Sequence, residues 1–240
     1  LSVFDNAHST IKQFELKDDK ANFIAEVEIK KGIYPLQEIA YVNDSILMFR
    51  VTNNVANQLF CYNMNTHSNI DSIAYISSFP EKLGNAYNTT LDVFNFSNYK
   101  HKFVAGFNYI NELKKGELTA DYHFSNKNSC ELQNDDFTPY VKSNIYDNYF
   151  YYMFPVAGEK YIYAIYMGRK ARELQPFPIN LGIRYFDPYI EVYDWAMNPI
   201  ARLKPDNDFL RIAVDRQENV FYTWNPFEDF EFLLQYNIEL

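Results

Sequence analysis

Short apolar runs alternate with polar turns along this chain, and the same arrangement recurs. In "EIAYVNDSILMF" (38–49), Ile39-Ala40 precede a polar turn and then Ile46-Leu47. In "LRIAVDRQENVFYTW" (210–224), Ile212-Ala213 precede a polar turn and then Val220-Phe221. Each unit continues into a third run ending in Tyr-Asn, "QLFCYN" (58–63) and "FLLQYN" (232–237). The spacings Ile39–Tyr62 and Ile212–Tyr236 differ by a single residue. Runs this short, with apolar residues alternating towards one face, predict strands, and the polar interruptions predict tight turns. "NYFYYMF" (148–154) with "YIYAIYM" (161–167) is a partial copy. The opening "LSVFDNAHSTIKQF" (1–14) is a worn copy of "IEVYDWAMNPIARL" (190–203), with Val3, Asp5, Ala7 and Ile11 recurring as Val192, Asp194, Ala196 and Ile200.

Each unit therefore reads as a β-meander. Residues 190–196 are expected to form a third strand and 199–205 a fourth, outermost one. Residues 209–215 then begin the next unit, followed by strands at 219–224 and 231–237. Asp5, Asn63, Asn95, Asp194 and Asn237 follow Tyr or Phe where a strand should stop. Short polar side chains of this kind bond turn backbone, so they are expected to terminate strands rather than to act as catalytic acids. From Asp194 to Asn237 is 43 residues, the length of one propeller blade. One sheet cannot bury both its faces, whereas sheets repeated around an axis can. The expected fold is an all-β, six-bladed β-propeller of four-stranded meanders spanning residues 1–240 as one domain, with five blades as the alternative. An N-terminal strand is expected to complete the C-terminal blade. Residues 80–135 carry the repeat least clearly; "PEKLGNAYN" (80–88) reads as a short turn and "SNKNSCELQNDD" (125–136) as a polar loop. A two-sheet sandwich would hold as many strands but would not explain motifs recurring in phase.

Composition agrees. Aromatic residues make up 18% of the 240, with 21 Tyr and 21 Phe, as suits half-buried pleated surfaces. The net charge of −9 excludes a nucleic-acid partner, because phosphate binding needs clustered cations. The basic cluster "GRKAR" (168–172) is too small to change this and reads as a solvated turn. No apolar run reaches the ~20 residues of a membrane span, and no signal peptide is visible. The chain opens at Leu1 partway through a repeat, so its N-terminus is expected to have been trimmed. Of the two cysteines, Cys61 reads as a small buried hydrophobe, and its pairing with Cys130 is left open.

With the repeats in view, "PYIEVYDWAMNPIARL" (188–203) and "LRIAVDRQENVFYTW" resemble the TolB-like six-bladed β-propeller proteins. The likeness is clearest over 180–240, fair over 36–76 and poor between. It implies an exported, often lipid-anchored protein of a gut-dwelling Gram-negative bacterium, located in the periplasm or at the cell surface. It brings no catalytic residues with it. Two features depart from the family: only seven glycines, with "FPEKLGNAYN" standing where a Gly-rich connection is usual, and no N-terminal lipid-bearing cysteine. Any lipid anchor would lie on residues missing from this chain.

The chain carries little recognisable catalytic chemistry. None of His8, His67, His101 and His123 sits in a metal-ligand spacing, and His8 and His67 occupy turn-like positions. No nucleophile elbow or phosphate-binding loop is present. The acidic groups at 18–19, 134–136 and 228–231 read as solvated turns, and no cofactor or metal is expected. The notable group is aromatic and basic: Arg184, Tyr185, Trp195, Arg211, Tyr222 and Trp224, residue types favoured at binding hot spots. Arg211, at the start of an expected innermost strand, is the foremost ligand contact, at a central funnel. The expected function is a non-enzymatic exported propeller binding a carbohydrate, peptide or envelope-protein partner through Arg211, Arg184, Tyr185, Trp195 and Trp224. The alternative is a metal-dependent hydrolase or lyase with His and carboxylates converging in the central channel.

Overall fold

A computed structural model of the chain describes residues 2–5, 10–18, 20–29, 36–52, 57–74, 93–125, 131–133, 147–173, 187–224 and 233–240. These fall in two compact units, Leu1–Ile76 with Leu118–Phe124, and Ser77–Glu117 with Ser125–Leu240. Every strand pairing is antiparallel, and sequence neighbours lie side by side in each sheet.

Among the described residues, the first unit holds two sheets. One is β1 (Ser2–Asp5), β2 (Thr10–Lys17) and β3 (Lys20–Glu28), in that order. The other is β4 (Leu36–Tyr41), β5 (Ile46–Thr52), β6 (Asn57–Asn63) and β7 (Ser68–Ala74). Between them lies a core of Ile11 and Ile29 with Leu47, Phe49, Val51, Tyr62 and Met64. Among the described residues, the second unit holds three sheets. They are β8 (Phe94–Tyr99) to β11 (Glu131–Gln133), through β9 (Lys102–Phe107) and β10 (Glu112–Glu117); β12 (Tyr149–Ala157), β13 (Tyr161–Lys170), β14 (Tyr189–Asp194) and β15 (Pro199–Leu203); and β16 (Arg211–Val214), β17 (Val220–Trp224) and β18 (Leu234–Asn237).

The repeat holds at the level of register. Leu47 pairs with Tyr62 as Phe221 pairs with Tyr236, and Ile46 with Asn63 as Val220 with Asn237. Backbone bonds outside the ladders recur too: Met64 N–H to Ser45 O at 2.9 Å, and Ile238 N–H to Asn219 O at 2.7 Å. The turns stop for the expected reason. Asn63 Oδ1 accepts from Asn65 and Thr66, and Asp194 Oδ1 from Ala196 and Asn198. Asp215 does the same for Asn219 and Val220. The Asn198 amide on Asp194, and the Val220 N–H on Asp215, hold both carboxyls below the usual carboxylate range. A depressed folded pKa means their contribution is present above the unfolded value and is lost as pH falls through the folded one. Carboxyl NMR titration should find both midpoints below that of Asp in a peptide, and Asp215→Ala should lower the melting temperature.

Several expectations need correction. Asn95 is not a terminator: it lies inside β8, buried, pairs with Gly106 and faces the Phe154 N–H. The polar stretch 125–136 contributes an edge strand, β11, because Glu131–Gln133 pairs with β10. "GRKAR" is not a solvated turn. β13 runs on through Gly168–Lys170, and Arg169 pairs with Asp187, Arg172 with Asp147. The N-terminal strand does not complete the C-terminal sheet: β1 pairs with β2, and the described strands of the last sheet are β16, β17 and β18. A reversal at Asp18 (φ 51°) brings β3 onto the free edge of β2. Residues 80–88 lie outside the described residues.

Candidate functional site

In β16 and β17, alternation divides the side chains between two faces. Ile212, Val214 and Phe221 face a core with Tyr163, Ile165, Met167, Ile190 and Val192 from β13 and β14. The opposite face carries the pairs Arg211–Trp224 and Ala213–Tyr222. Together with Ile212 and Leu233 these residues line a cleft of about 410 Å³. The Arg211 guanidinium lies 3.2 Å from the centre of the Phe154 ring and donates from Nη1 to the Leu210 carbonyl at 3.1 Å. It is thus held at the cleft wall by an aromatic face and a backbone acceptor.

Three of the six aromatic and basic residues singled out from the sequence therefore meet: Arg211, Tyr222 and Trp224. Trp195 stands apart, in the turn after β14. Its indole N–H donates to Gly158 O at 3.2 Å, Lys102 Nζ lies 5.1 Å from its ring centre, and its carbonyl accepts from Lys115. Arg184 and Tyr185 lie outside the described residues. Sequence reasoning did not name Ala213 and Leu233, which complete the cleft; strict alternation from Arg211 and Trp224 would have found the first.

Two other clefts are occupied by their own charges. One of about 290 Å³ is lined in part by Glu191, Tyr193 and Arg202. The buried Glu191 carboxylate accepts from Tyr152 OH at 3.0 Å and from Tyr193 OH, and pairs with Arg202. Burial, followed by the carboxylate, pushes both phenols well above the ordinary tyrosine range, so neither supplies a phenolate at neutral pH. The other, about 690 Å³, is lined by Arg169, Asp187, Lys204 and Asp206 among others. There Asp187 pairs with both cations, which hold its carboxyl below the usual range, the Lys204 hydrogen bond most of all.

Among the described residues, no group of three or more His, Cys, Asp or Glu gathers as a metal site. His67 occupies a turn with φ 50°, and His123 Nδ1 lies 3.5 Å from Asp71; His8 lies outside the described residues. Cys61 is a free, buried thiol, pushed up to about 12 by burial and then by Asp71, and Cys130 is outside the described residues. Among the described residues no helix is long and apolar enough to cross a membrane.

Neither a protein-family model nor a curated protein matches this sequence. Solved structures do. A protein from Lactobacillus plantarum matches with a TM-score of 0.55 at 8% identity, over 100% of this chain and 64% of that one. The WD40 domain of Toxoplasma gondii coronin matches with a TM-score of 0.52 at 8% identity, over 93% of this chain and 49% of that one. A chain of the nidogen/laminin complex matches with a TM-score of 0.50 at 8% identity, over 91% of this chain and 67% of that one. The chain thus spans less than two thirds of the first two. At these identities the likeness speaks for architecture alone. The fold is all-β, its described strands forming antiparallel sheets of three or four strands of the β-propeller kind.

Proposed function

We propose that this chain is a non-enzymatic binding propeller whose partner is a protein or peptide seated on the cleft of β16 and β17. The observation that carries this reading is the lining itself: Arg211, Ile212, Ala213, Tyr222, Trp224 and Leu233. It offers two large aromatic side chains and one guanidinium among aliphatic walls, the composition of a protein-binding hot spot. Among the described residues the lining contains no carboxylate, imidazole, hydroxymethyl or thiol to act as base or nucleophile. A sugar site needs several directional hydrogen-bonding groups around the ring, and this wall supplies few, so a peptide is favoured over a carbohydrate. The nidogen/laminin neighbour comes from a complex between proteins, which supports such a use of the fold. The TolB-like motifs at 188–203 and 210–224 extend the proposal to an exported, six-bladed protein of the periplasm or cell surface, acting as a single domain.

The test pairs selection from a random-peptide display library with a glycan array. Peptides rich in aromatic and aliphatic residues should bind. Trp224→Ala or Arg211→Ala should weaken them about 30-fold, the cost of losing one hot-spot residue. Oligosaccharide binding without peptide binding, or peptides indifferent to both substitutions, would overturn the reading.

A further inference from the structure

Beside the buried Glu191, strands β14 and β15 of the second unit carry a cleft of about 290 Å³ that the peptide-binding reading does not use. The local backbone is shaped for it. A regular strand would offer such a cleft every second side chain, yet four successive residues, Pro199 to Arg202, line this one. The register explains how. Val192 pairs with Ala201 but Tyr193 pairs with Pro199, so Ile200 is an extra residue on β15, a bulge. Bulges bend the strand and re-aim its side chains.

Arg202 is fixed in place at this cleft. Its Nη2 donates to Oε1 of Glu191, and its guanidinium carbon lies 5.5 Å from the centre of the Tyr166 ring and 5.4 Å from that of Tyr189. Glu191 is itself anchored: it is 5% exposed, and its Oε2 accepts the Tyr152 and Tyr193 hydroxyls. The buried negative charge is thus shared among Arg202 and two phenols, whereas the Arg202 side chain remains 57% exposed. A guanidinium carries its N–H donors in a planar fork with more than one edge, so bonding to Glu191 leaves donors for the cleft. The cleft therefore meets a preorganised positive pole beside the aliphatic walls of Pro199, Ile200 and Ala201. An ion pair that served stability alone would need no such opening, which has room for about ten water-sized groups.

We propose that this cleft binds an organic monocarboxylate, its carboxylate on the Arg202 fork and its short aliphatic body against Pro199, Ile200 and Ala201. Fork-to-carboxylate pairs are the strong and directional ones, and the aliphatic walls shield the pair from water. Glu191, Tyr166 and Tyr189 act as positioning residues, because they hold the guanidinium and leave its charge at the mouth.

Titrations followed by amide NMR shifts, with sodium hexanoate, hexanamide and hexylammonium, separate the charge from the chain. Hexanoate should bind with a dissociation constant of about 1 mM or lower and move the amides of β15. The neutral amide should bind at least about 10-fold more weakly, and hexylammonium should not bind. N-acetyl-leucine carries the same carboxylate as a peptide terminus; whichever acid binds more tightly tells a free acid from a chain end. Ile200→Asp sets a carboxylate at the cleft wall near Arg202. The position is 43% exposed, so the fold should hold while binding is abolished. Arg202→Lys keeps a cation for Glu191 but loses the fork, and should weaken binding about 10-fold. Trp224→Ala should leave hexanoate binding unchanged, because that residue lines the other cleft. The proposal is overturned if neither acid binds, or if hexanamide binds as tightly as hexanoate. Wild-type affinity in either β15 variant, or loss of binding in Trp224→Ala, overturns it as well. Peptide binding at Trp224 stands or falls by its own test.

Discussion

Glu218→Ala should destabilise the second unit by about 3 kcal/mol, the cost of removing a charged acceptor from several donors at once, and lower its melting temperature by about 10 °C. Glu218 sits in the turn before β17 yet is only 7% exposed, because its side chain reaches back onto the β12–β13 turn. There Oε1 accepts the Lys160 N–H at 2.6 Å, and Oε2 accepts the Tyr161 N–H and the Tyr163 OH, each at 3.1 Å. One carboxylate thus joins two successive sheets at their turns. The contact is costly to hold, since Glu218 has φ 58°, a region that favours glycine. Glu218→Gln keeps the size but turns an amide N–H towards donors, so it should lose much of the same stability. Differential calorimetry of the three proteins checks this; an alanine variant melting with the wild type would show that the carboxylate ties nothing.

Gly158 packs against the same carboxylate. A Cβ there would lie 2.7 Å from the Glu218 carboxyl carbon and Oε2, and 2.9 Å from Oε1. A flexible side-chain end could normally step aside, but this one is pinned by its hydrogen bonds. Gly158→Ala should therefore displace the carboxylate and cost about 2 kcal/mol. The double variant should be no less stable than Glu218→Ala alone, because the clash has lost its second member. Additive losses would place the cost of the Gly158 side chain elsewhere.

Much of this architecture was legible in the sequence because its causes are local. The pairs Ile46-Leu47 and Val220-Phe221, and the Tyr-Asn ends at 62–63 and 236–237, are alternation and turn chemistry, and they fix register without reference to anything distant. What was not legible is set by neighbours across space. Asn95 carries the same local signature as Asn63 but is absorbed into β8 by pairing with Gly106. β2 reads like β15 but becomes a central strand because β3 folds onto it. The cleft follows the same division. Arg211, Tyr222 and Trp224 share a face by alternation alone, whereas Trp195, of equal promise by residue type, is turned onto Gly158 by a turn two strands away. Glu191 and Glu218, two buried carboxylates that each hold three partners, carried no sequence signal beyond one acidic residue in "YIEVYD" and another in "DRQENV".

Alkaline pH should unfold the second unit cooperatively. Tyr152, Tyr163 and Tyr193 are 1%, 0% and 5% exposed, and each donates its phenolic proton to a buried carboxylate, Glu191 or Glu218. Burial first, and the adjacent carboxylate next, raise all three above the tyrosine range. Because the folded values lie above the unfolded value of about 10, the unfolded chain releases these protons first. The stabilisation is complete below that value and is lost as pH rises beyond it. Each tyrosine costs about 1.4 kcal/mol per pH unit and the three together about 4. Against a domain stability of about 5–15 kcal/mol, the transition should fall one to a few units above pH 10, by about pH 11–13. Phenolate absorbance at 295 nm and far-ultraviolet circular dichroism, followed together, give the check. Most of the 21 tyrosines should ionise with the sheet signal intact, and the last should ionise only as it disappears. Tyr152→Phe, which removes one buried proton and leaves Glu191 its bonds to Tyr193 and Arg202, should flatten the pH dependence by about a third. Complete ionisation with the sheets still formed would mean that these phenols reach solvent in the folded chain.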